Sequence, residues 1–309
     1  MSARPTQLAE LHVHLEGSVE PETLMEIEPS LTLAEIADFT AYTDFAGFLK
    51  AFVWVNKFLK QPGDYARVAR RLFERLAAEG VTYAEVTLSV GVVLWKQQDF
   101  APVFDAIAHE AARSPIAIRW IFDAIRQFGP EPAKPAYDLA AERIGEGVVA
   151  IGLGGDELRG PAILFADLFR EARERGLRLT CHAGEIAGPE SVWQALEIGA
   201  ERIGHGIRSI DDPKLVEHLA AKKVPLEICM TSNLRTGAVA SWAEHPVKRL
   251  YDAGVPIILN TDDPALFGCT LKSEYERARQ QFGFTQEQIE GLAKNAFAYA
   301  FDQRGAVGR

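Results

Sequence analysis

Short β-rich segments alternate with amphipathic helical segments along most of this chain, and that alternation limits its possible folds more than any other feature. A glycine often separates a helical segment from the β-rich segment after it, as Gly80 and Gly254 do. Glycine just past a helix adopts the left-handed conformation that turns the chain towards a strand. Eight strands are predicted: Leu8–Leu15, Val81–Val90, Ile116–Phe122, Val148–Leu153, Leu177–Cys181, a short strand around Ile203, Val224–Cys229 and Val255–Asn260.

Most of these strands are followed by a predicted helix, and several of the helices open with proline, whose missing N–H costs nothing in the first turn. The predicted helices are Asp64–Ala78, Ala101–Arg113, Pro161–Arg175, Pro189–Ile198, Pro213–Lys222, Pro246–Asp252 and a closing helix over Thr285–Tyr299. Eight β/α units in 309 residues fit a TIM-type (β/α)8 barrel, an α/β fold, better than a doubly wound sheet. We therefore expect a single domain over residues 1–309.

The first connection is much longer than the others and spans about residues 16–80. In a barrel it would lie on the face where active sites form. We expect a helical lid over about residues 16–60, inserted after the first strand and followed by the ordinary return helix.

Composition and charge restrict the class of partner. Hydrophobic residues make up 48% of the chain and charged residues 25%, which is typical of a globular protein. The formal net charge of −10 argues against nucleic acids and acidic membranes as partners, because both attract basic surfaces. We expect a small-molecule partner, no nucleic acid and no membrane.

The three cysteines, Cys181, Cys229 and Cys269, are widely spaced and form no CxxC pair. An odd number without such pairing does not indicate a disulfide framework. The segment Met1–Gln7 is not followed by the apolar stretch of a secretion signal. Both features predict a cytoplasmic protein.

Polar side chains cluster at the carboxyl ends of four predicted strands, the edge at which barrel enzymes build their active sites. The clusters are His12-Val13-His14, Thr180–Glu185, Gly204–Gly206 and Asn260–Pro264. The two histidines of the first cluster are two positions apart, so both side chains face the barrel interior. Three imidazoles and one carboxylate from these clusters suit Zn²⁺ or a similar divalent ion. The remaining histidine and a second carboxylate are then available to move protons and orient a water molecule.

The segments HVHLEGS, TCHAGE, RIGHG and NTDDP, in this order, resemble the adenosine deaminase family of the amidohydrolase superfamily. The segment Gly152–Glu157 is also similar to the family's sequence after the fourth strand. The resemblance covers essentially the whole chain. It implies a metal-dependent aminohydrolase that converts a 6-aminopurine nucleoside into its 6-oxo product and ammonia.

The same resemblance implies which residues bind the metal. The ligands would be His12, His14, His182 and Asp262, holding one Zn²⁺ per chain, with Fe²⁺ or another divalent ion as the alternative. His14 would also contact the substrate.

The resemblance further implies roles for the residues around the metal. Glu185 would donate a proton to purine N1, and His205 and Asp263 would orient the attacking hydroxide. Asp263 would also approach purine N7. The backbone N–H of Gly155 would donate to purine N3, and Glu16 would contact the ribose end.

Three departures from the family pattern affect the expected substrate. Gly152 stands where these deaminases often have Asp, Met230 replaces a common Pro, and the lid region Pro21–Phe45 is short. A short lid would leave the 5′ side of a nucleoside open and admit a 5′-modified adenosine such as 6-amino-6-deoxyfutalosine, which carries a carboxylated aromatic group. Arg208 and Arg235 are candidate partners for that carboxylate, or else solvated loop residues.

Three alternative functions stay open from the sequence. One is deamination of free adenine, although that resemblance often has Asp where Gly204 stands. Another is metal-dependent hydrolysis of a different bond, such as an amide or phosphoester, on the same barrel. The third is a binding or signalling relative without catalysis, which the presence of every metal and proton-transfer residue argues against.

Overall fold

The computed structural model describes residues 7–302 and contains a sheet of eight parallel strands arranged in chain order. Residues 1–6 and 303–309, which belong to the predicted domain, lie outside the described part. The strands are β1 (Leu8–His14), β2 (Val81–Leu88), β3 (Ala117–Ile125), β4 (Val148–Gly154), β5 (Arg178–Ala183), β6 (Arg202–His205), β7 (Leu226–Ile228) and β8 (Ile257–Leu259).

The last and first strands meet just beyond β8. The backbone N–H of Asp262 donates to the carbonyl of His12, and the N–H of His14 donates to the carbonyl of Asp262, both at 2.8 Å. These bonds nearly close the sheet into a barrel. The predicted TIM-type (β/α)8 fold is confirmed.

Helices surround the barrel and fill the first connection. They are α1 (Pro21–Ile27), α2 (Leu33–Phe39), α3 (Phe45–Asn56), α4 (Pro62–Ala78), α5 (Val90–Trp95), α6 (Phe100–Arg113), α7 (Pro130–Glu142), α8 (Ala166–Glu174), α9 (Pro189–Glu197), α10 (Pro213–Lys222), α11 (Met230–Arg235), α12 (Val247–Asp252), α13 (Pro264–Phe267), α14 (Leu271–Phe282) and α15 (Gln286–Ala298). Every helix predicted above is present, with bounds shifted by a few residues. Within residues 7–302, no helix has both the length and the apolar character needed to cross a membrane.

Several boundaries and several helices differ from the sequence-based expectation. The predicted second strand includes Val90, which instead begins α5, because the apolar run continues without a break from strand into helix. The predicted third strand stops before Asp123, whereas β3 continues to Ile125 with that aspartate buried inside it. The prediction did not include α7, which contains Pro135 in its interior, where proline is unfavourable. Nor did it include α5, α11, α13 or α14.

The apolar core lies mostly between the sheet and the outer helices. A smaller cluster inside the barrel joins Leu11, Tyr83 and Ile258 to Ala296 and Ala300 at the carboxyl end of the chain. Helix α15 contacts both β1 and β8, so it supports the barrel where the first and last strands meet.

The first connection contributes α1 to α4, and its end is fixed to the segment after α5. Lys96 Nζ donates to the carbonyls of Asn56 and Leu59 at 2.8 and 2.7 Å. Gln98 Nε2 donates to the carbonyl of Leu59 as well, at 2.9 Å. These bonds hold the end of α3 and the turn after it against the segment that follows α5, and so position that helix.

Candidate active site

Four side chains from three strand ends meet at the carboxyl end of the barrel: His12, His14, His182 and Asp262. Each offers a ligand atom within 4.8 Å of the others. The Nε2 atoms of His14 and His182 lie 3.3 Å apart, and Asp262 Oδ1 lies 3.3 Å from His14 Nε2. The structure therefore brings all four predicted metal ligands together.

This donor set fits a divalent metal ion, because three imidazoles and one carboxylate can converge on a single cation. His12 Nε2 is buried and has no hydrogen-bond partner among the described residues. The other ring nitrogen, His12 Nδ1, donates to Glu227 Oε2 at 2.8 Å, which leaves the lone pair on Nε2. Ser232 Oγ donates to Asp262 Oδ2 at 2.7 Å and orients that carboxylate in the same way.

Two residues of the site have backbone angles that L-amino acids rarely adopt. His205 has φ 61° and Asp262 has φ 66°, both in the left-handed region. Such a conformation costs on the order of 1–3 kcal/mol and is typical of functional sites held by their surroundings. It turns both side chains at the points where β6 and β8 end.

Glu185 follows β5 and is held by Glu157, for which the sequence alone indicates no role. Glu157 Oε1 accepts the backbone N–H of Glu185 at 2.9 Å, and Glu157 Oε2 accepts the N–H of Gly184 at 2.8 Å. Ser191 Oγ also donates to Glu157, at 2.6 Å. Burial, and next the negative charges of Asp262 and Glu157, raise the pKa of the Glu185 carboxyl well above its ordinary value.

Asp263 lies beside Asp262 and depends on a glycine in the first connection. A Cβ atom on Gly17 would lie 1.6 Å from Asp263 Oδ1, so only glycine leaves room for this carboxylate. Burial, and next the charge of Asp262, raise the pKa of Asp263 well above its ordinary value. The glycine of the HLEGS segment therefore has a steric role that its sequence position alone did not reveal.

A cavity of about 640 Å³ opens onto these groups, a size typical of small-molecule sites. Its inner end is lined by His14, His182, Glu185, His205, Asp262 and Asp263. His205 Nε2 lies 3.7 Å from Glu185 Oε2 and 3.8 Å from Asp262 Oδ2. Burial lowers the pKa of His205 to about 3, so its imidazole is neutral at physiological pH.

The two remaining predicted substrate contacts lie in different positions. Gly155 lines the cavity and has φ 96°, where a Cβ atom would lie 2.3 Å from Gln127 Oε1. Glu16 is fully buried, and its Oε1 accepts the backbone N–H of Ser89 at 3.0 Å. Glu16 does not line the cavity, whereas Ser89 does.

A carboxylate from the neighbouring strand fills the space left by Gly152. Asp123 of β3 is opposite Gly152 of β4, and a Cβ atom on that glycine would lie 2.6 Å from Asp123 Oδ1. Asp123 lines the cavity, and its Oδ1 has no hydrogen-bond partner among the described residues. Burial raises the pKa of Asp123 to about 8. The site thus has an acidic group here, supplied by a residue that the family pattern did not point to.

The two candidate arginines do not line this cavity. Arg208 donates to the carbonyl of Ala238 at 2.7 Å. The guanidinium of Arg235 lies over the ring of Tyr42, 5.2 Å from its centroid. Both side chains therefore have structural partners in the fold.

Comparison with known proteins agrees with this geometry. A sequence profile of the family described as adenosine deaminase matches residues 7–305. An aminodeoxyfutalosine deaminase from Streptomyces avermitilis is 39% identical over 307 residues, which cover 95% of this chain and 86% of that protein. An adenosine deaminase from Shewanella loihica is 36% identical over 312 residues, which cover 95% of this chain and 94% of that protein.

The fold comparison gives a similar result. The crystal structure of an adenine deaminase from Arthrobacter aurescens superposes with a TM-score of 0.90 at 29% sequence identity. The match covers 99% of this chain and 97% of that one. Since the family profile spans nearly every residue and both relatives match along almost the full length, the chain belongs to the adenosine deaminase family.

Proposed function

We propose that this protein hydrolyses the 6-amino group of a purine nucleoside, giving the 6-oxo purine and ammonia. The observation that carries this proposal is that Glu185, His205, Asp263 and the backbone of Gly155 line one cavity together with the metal-binding residues. The groups that would contact N1, N3 and N7 of a purine, namely Glu185, Gly155 and Asp263, therefore surround a single cavity. Hydrolysis of a different bond would leave that arrangement without a purpose.

A divalent ion held by the three histidines and Asp262 would lower the pKa of a bound water to about 7. Zn²⁺ is the ion we propose, because it is the metal most often bound by such nitrogen and oxygen sets. Attack at purine C6 builds negative charge on N1, which Glu185 neutralises by giving up its proton. The raised pKa of Glu185 keeps that proton in place until it is needed.

The outer part of the cavity differs in character from its inner end. The lining residues that are exposed to solvent are Val53, Lys57, Lys60, Trp95, Phe128 and Arg159. Three are apolar, three are cationic and none is acidic, on a chain whose formal net charge is −10. Such a mouth suits an apolar group that ends in an anion. We propose a 5′-modified adenosine of the 6-amino-6-deoxyfutalosine type as the substrate, with its aromatic carboxylate in this outer part.

Helix α3 forms one wall of the same cavity through Phe45, Phe48, Leu49 and Phe52. We propose that the segment over about residues 16–60 acts as the lid of the site.

We also propose that the enzyme works in the cytoplasm, because Cys181, Cys229 and Cys269 are buried free thiols.

Deamination of free adenine is the second candidate, because the similar structure from Arthrobacter aurescens is an adenine deaminase. A free base would leave the outer cavity empty. A Cβ atom on Gly204 would also lie 3.0 Å from His12 Cε1, so the Asp that such enzymes often have there would require a rearranged site.

A substrate panel tests the proposal. Ammonia release and ultraviolet absorbance are followed with adenine, adenosine, AMP, 6-amino-6-deoxyfutalosine and its carboxamide. We expect 6-amino-6-deoxyfutalosine to have the highest kcat/KM and its neutral carboxamide to be clearly poorer. Preference for adenine would support the second candidate, and no ammonia from any of them would exclude a purine deaminase. The AMP arm distinguishes a phosphate from an aromatic carboxylate as the preferred anion.

Variants at the cavity mouth test the charge argument. Lys57→Ala and Arg159→Ala should lower kcat/KM for 6-amino-6-deoxyfutalosine and leave adenosine almost unchanged, because a charge-assisted hydrogen bond is lost only with the anionic substrate. Lys50→Ala is the matched control, since Lys50 is an exposed residue of α3 that does not line the cavity. Equal losses on both substrates would contradict the proposed contact.

A further inference from the structure

A chain of buried polar side chains leads away from the cavity through His205, Asn233 and His245. Asn233 Nδ2 lies 3.1 Å from His205 Nδ1, and His245 Nε2 lies 3.1 Å from Asn233 Oδ1. The backbone N–H of Val247 donates to His245 Nδ1 at 3.2 Å. The three side chains are buried, and the sequence alone indicates a role only for His205.

The backbone of Val247 fixes the direction of every bond in this chain. A backbone N–H can only donate, so His245 Nδ1 accepts, and the hydrogen of the neutral ring lies on Nε2. Burial lowers the pKa of His245 to about 3, which agrees with a neutral ring. His245 Nε2–H therefore donates to Asn233 Oδ1, and the amide nitrogen of Asn233 faces His205.

The amide nitrogen of Asn233 is also only a donor, so His205 Nδ1 must accept from it. A neutral imidazole with an accepting Nδ1 carries its hydrogen on Nε2. His205 Nε2 is the nitrogen directed towards Glu185 and Asp262 at the inner end of the cavity. A hydrogen bond pattern that begins at a main-chain amide thus determines which nitrogen of His205 bears the proton.

We propose that Asn233 and His245 are positioning residues that hold His205 as the Nε2–H tautomer, so that His205 donates a hydrogen bond in the site and does not accept a proton there. This inference rests on the proposed function for its catalytic meaning. A ring with its hydrogen on Nε2 can orient an oxygen atom at the inner end of the cavity by donating to it, which the Nδ1–H tautomer could not do.

The tautomer can be measured directly, without any substrate. In zinc-loaded protein with ¹⁵N-labelled histidine, long-range ¹H–¹⁵N correlation spectra distinguish a protonated Nε2 from a protonated Nδ1. We expect the Nε2–H pattern for both His205 and His245, assigned by the signals missing in His205→Gln and His245→Gln. An Nδ1–H pattern for His205 in the wild-type protein would overturn the proposal.

Substitution of Asn233 should reverse the tautomer. In Asn233→Asp the carboxylate can only accept, so we expect the hydrogen of His205 to move to Nδ1. Its Nε2 would then lose the ability to donate, and kcat should fall by about 10²-fold while the zinc content stays unchanged, a loss within the range for a misdirected acid–base group. An unchanged His205 tautomer in this variant would also overturn the proposal.

Substitutions of His245 separate the effect of its hydrogen bond to Asn233 from the effect of its side-chain packing. His245→Gln keeps an N–H group that can donate to Asn233 Oδ1, and should retain most of kcat and the Nε2–H pattern of His205. His245→Leu removes the donor and should lower kcat. His109→Gln, at an exposed histidine of α6, is the control and should change nothing. If no nucleoside is deaminated, the proposed function fails, but the spectra still decide the tautomer.

Discussion

Glu185 and His205 have pKa values displaced in opposite directions, although they lie 3.7 Å apart in the same buried site. Burial is the first cause for both, because it penalises the charged form, which is the deprotonated carboxyl but the protonated imidazole. Both shifts therefore favour the neutral form of the residue. A neutral acid that holds its proton and a neutral imidazole are the forms that the proposed deamination needs.

The first prediction concerns the proton of Glu185. Glu185→Gln should keep its metal and lower kcat by about 10²–10⁴-fold, because an amide cannot deliver a proton to N1. The active form of Glu185 is the protonated one, and its pKa is raised, so wild-type activity should fall as pH rises through that raised value. A pH–rate profile measures this alkaline decline. A loss below tenfold in the variant would contradict the assigned role.

The second prediction concerns the metal. His12→Ala should lose most of its bound metal, because only three of the four ligands remain. The substitution also leaves Glu227 without its imidazole partner. Elemental analysis of the wild-type protein should give about one divalent ion per chain. His109→Ala changes an exposed histidine of α6 and serves as the control. Full metal content in His12→Ala would refute the ligand assignment.

At the scale of elements, the register between β3 and β4 determines where an acidic side chain can stand. Asp123 and Gly152 are direct partners in that register and compete for one volume inside the barrel. Gly154, two residues further along β4, faces the same carboxylate, with its Cβ position 2.8 Å from Asp123 Oδ2. Both glycines leave the space that Asp123 occupies.

The third prediction tests that competition. Gly152→Asp should destabilise the protein by at least about 1–3 kcal/mol, because it overpacks the site and places two carboxylates together. In the Asp123→Ala background the same substitution should cost much less. Urea unfolding of the two single variants and the double variant gives the coupling energy, which for contacting residues is about 0.5–3 kcal/mol. Additive effects would mean that the two positions do not share a space.

At the scale of the whole molecule, a buried ion network connects Phe301, in the segment after α15, to the candidate metal site. Arg202 of β6 lies 2.7 Å from Glu85 Oε2 and 2.5 Å from Glu227 Oε1. Glu85 also accepts the backbone N–H of Phe301, and Glu227 accepts from His12. The network therefore joins β2, β6 and β7 to the predicted metal ligand His12 on β1 and to the segment after α15.

The fourth prediction concerns this network. Arg202→Met should lower the free energy of unfolding by about 3–5 kcal/mol, because Glu85 and Glu227 would remain buried without their cation. The matched control is Arg178→Met. Arg178 also lies over the ring of Phe301, but it pairs with Glu201 at the surface, so its loss should cost less than about 1 kcal/mol. Urea unfolding measures both values, and similar losses would show that the network adds little.

The sequence by itself predicted the barrel and the four residues of the candidate metal site. The repeated strand, helix and glycine patterns are local features of the sequence, so they predict eight β/α units. Because the strands of such a barrel are parallel, their carboxyl ends all lie on one face. The pair His12 and His14 follows the two-residue period of a strand, and the other clusters each end a predicted strand. Such residues could be found because one local rule assigns each of them to the same edge.

Only the tertiary structure decided which groups support that site and what fills its outer part. Glu157, Asn233 and His245 act through contacts between distant segments, and Asp123 takes the place of a residue on the next strand. Arg208 and Arg235 follow suitable strands but have partners elsewhere. These outcomes depend on register, burial and side-chain direction across the barrel, and no local pattern in a sequence contains them.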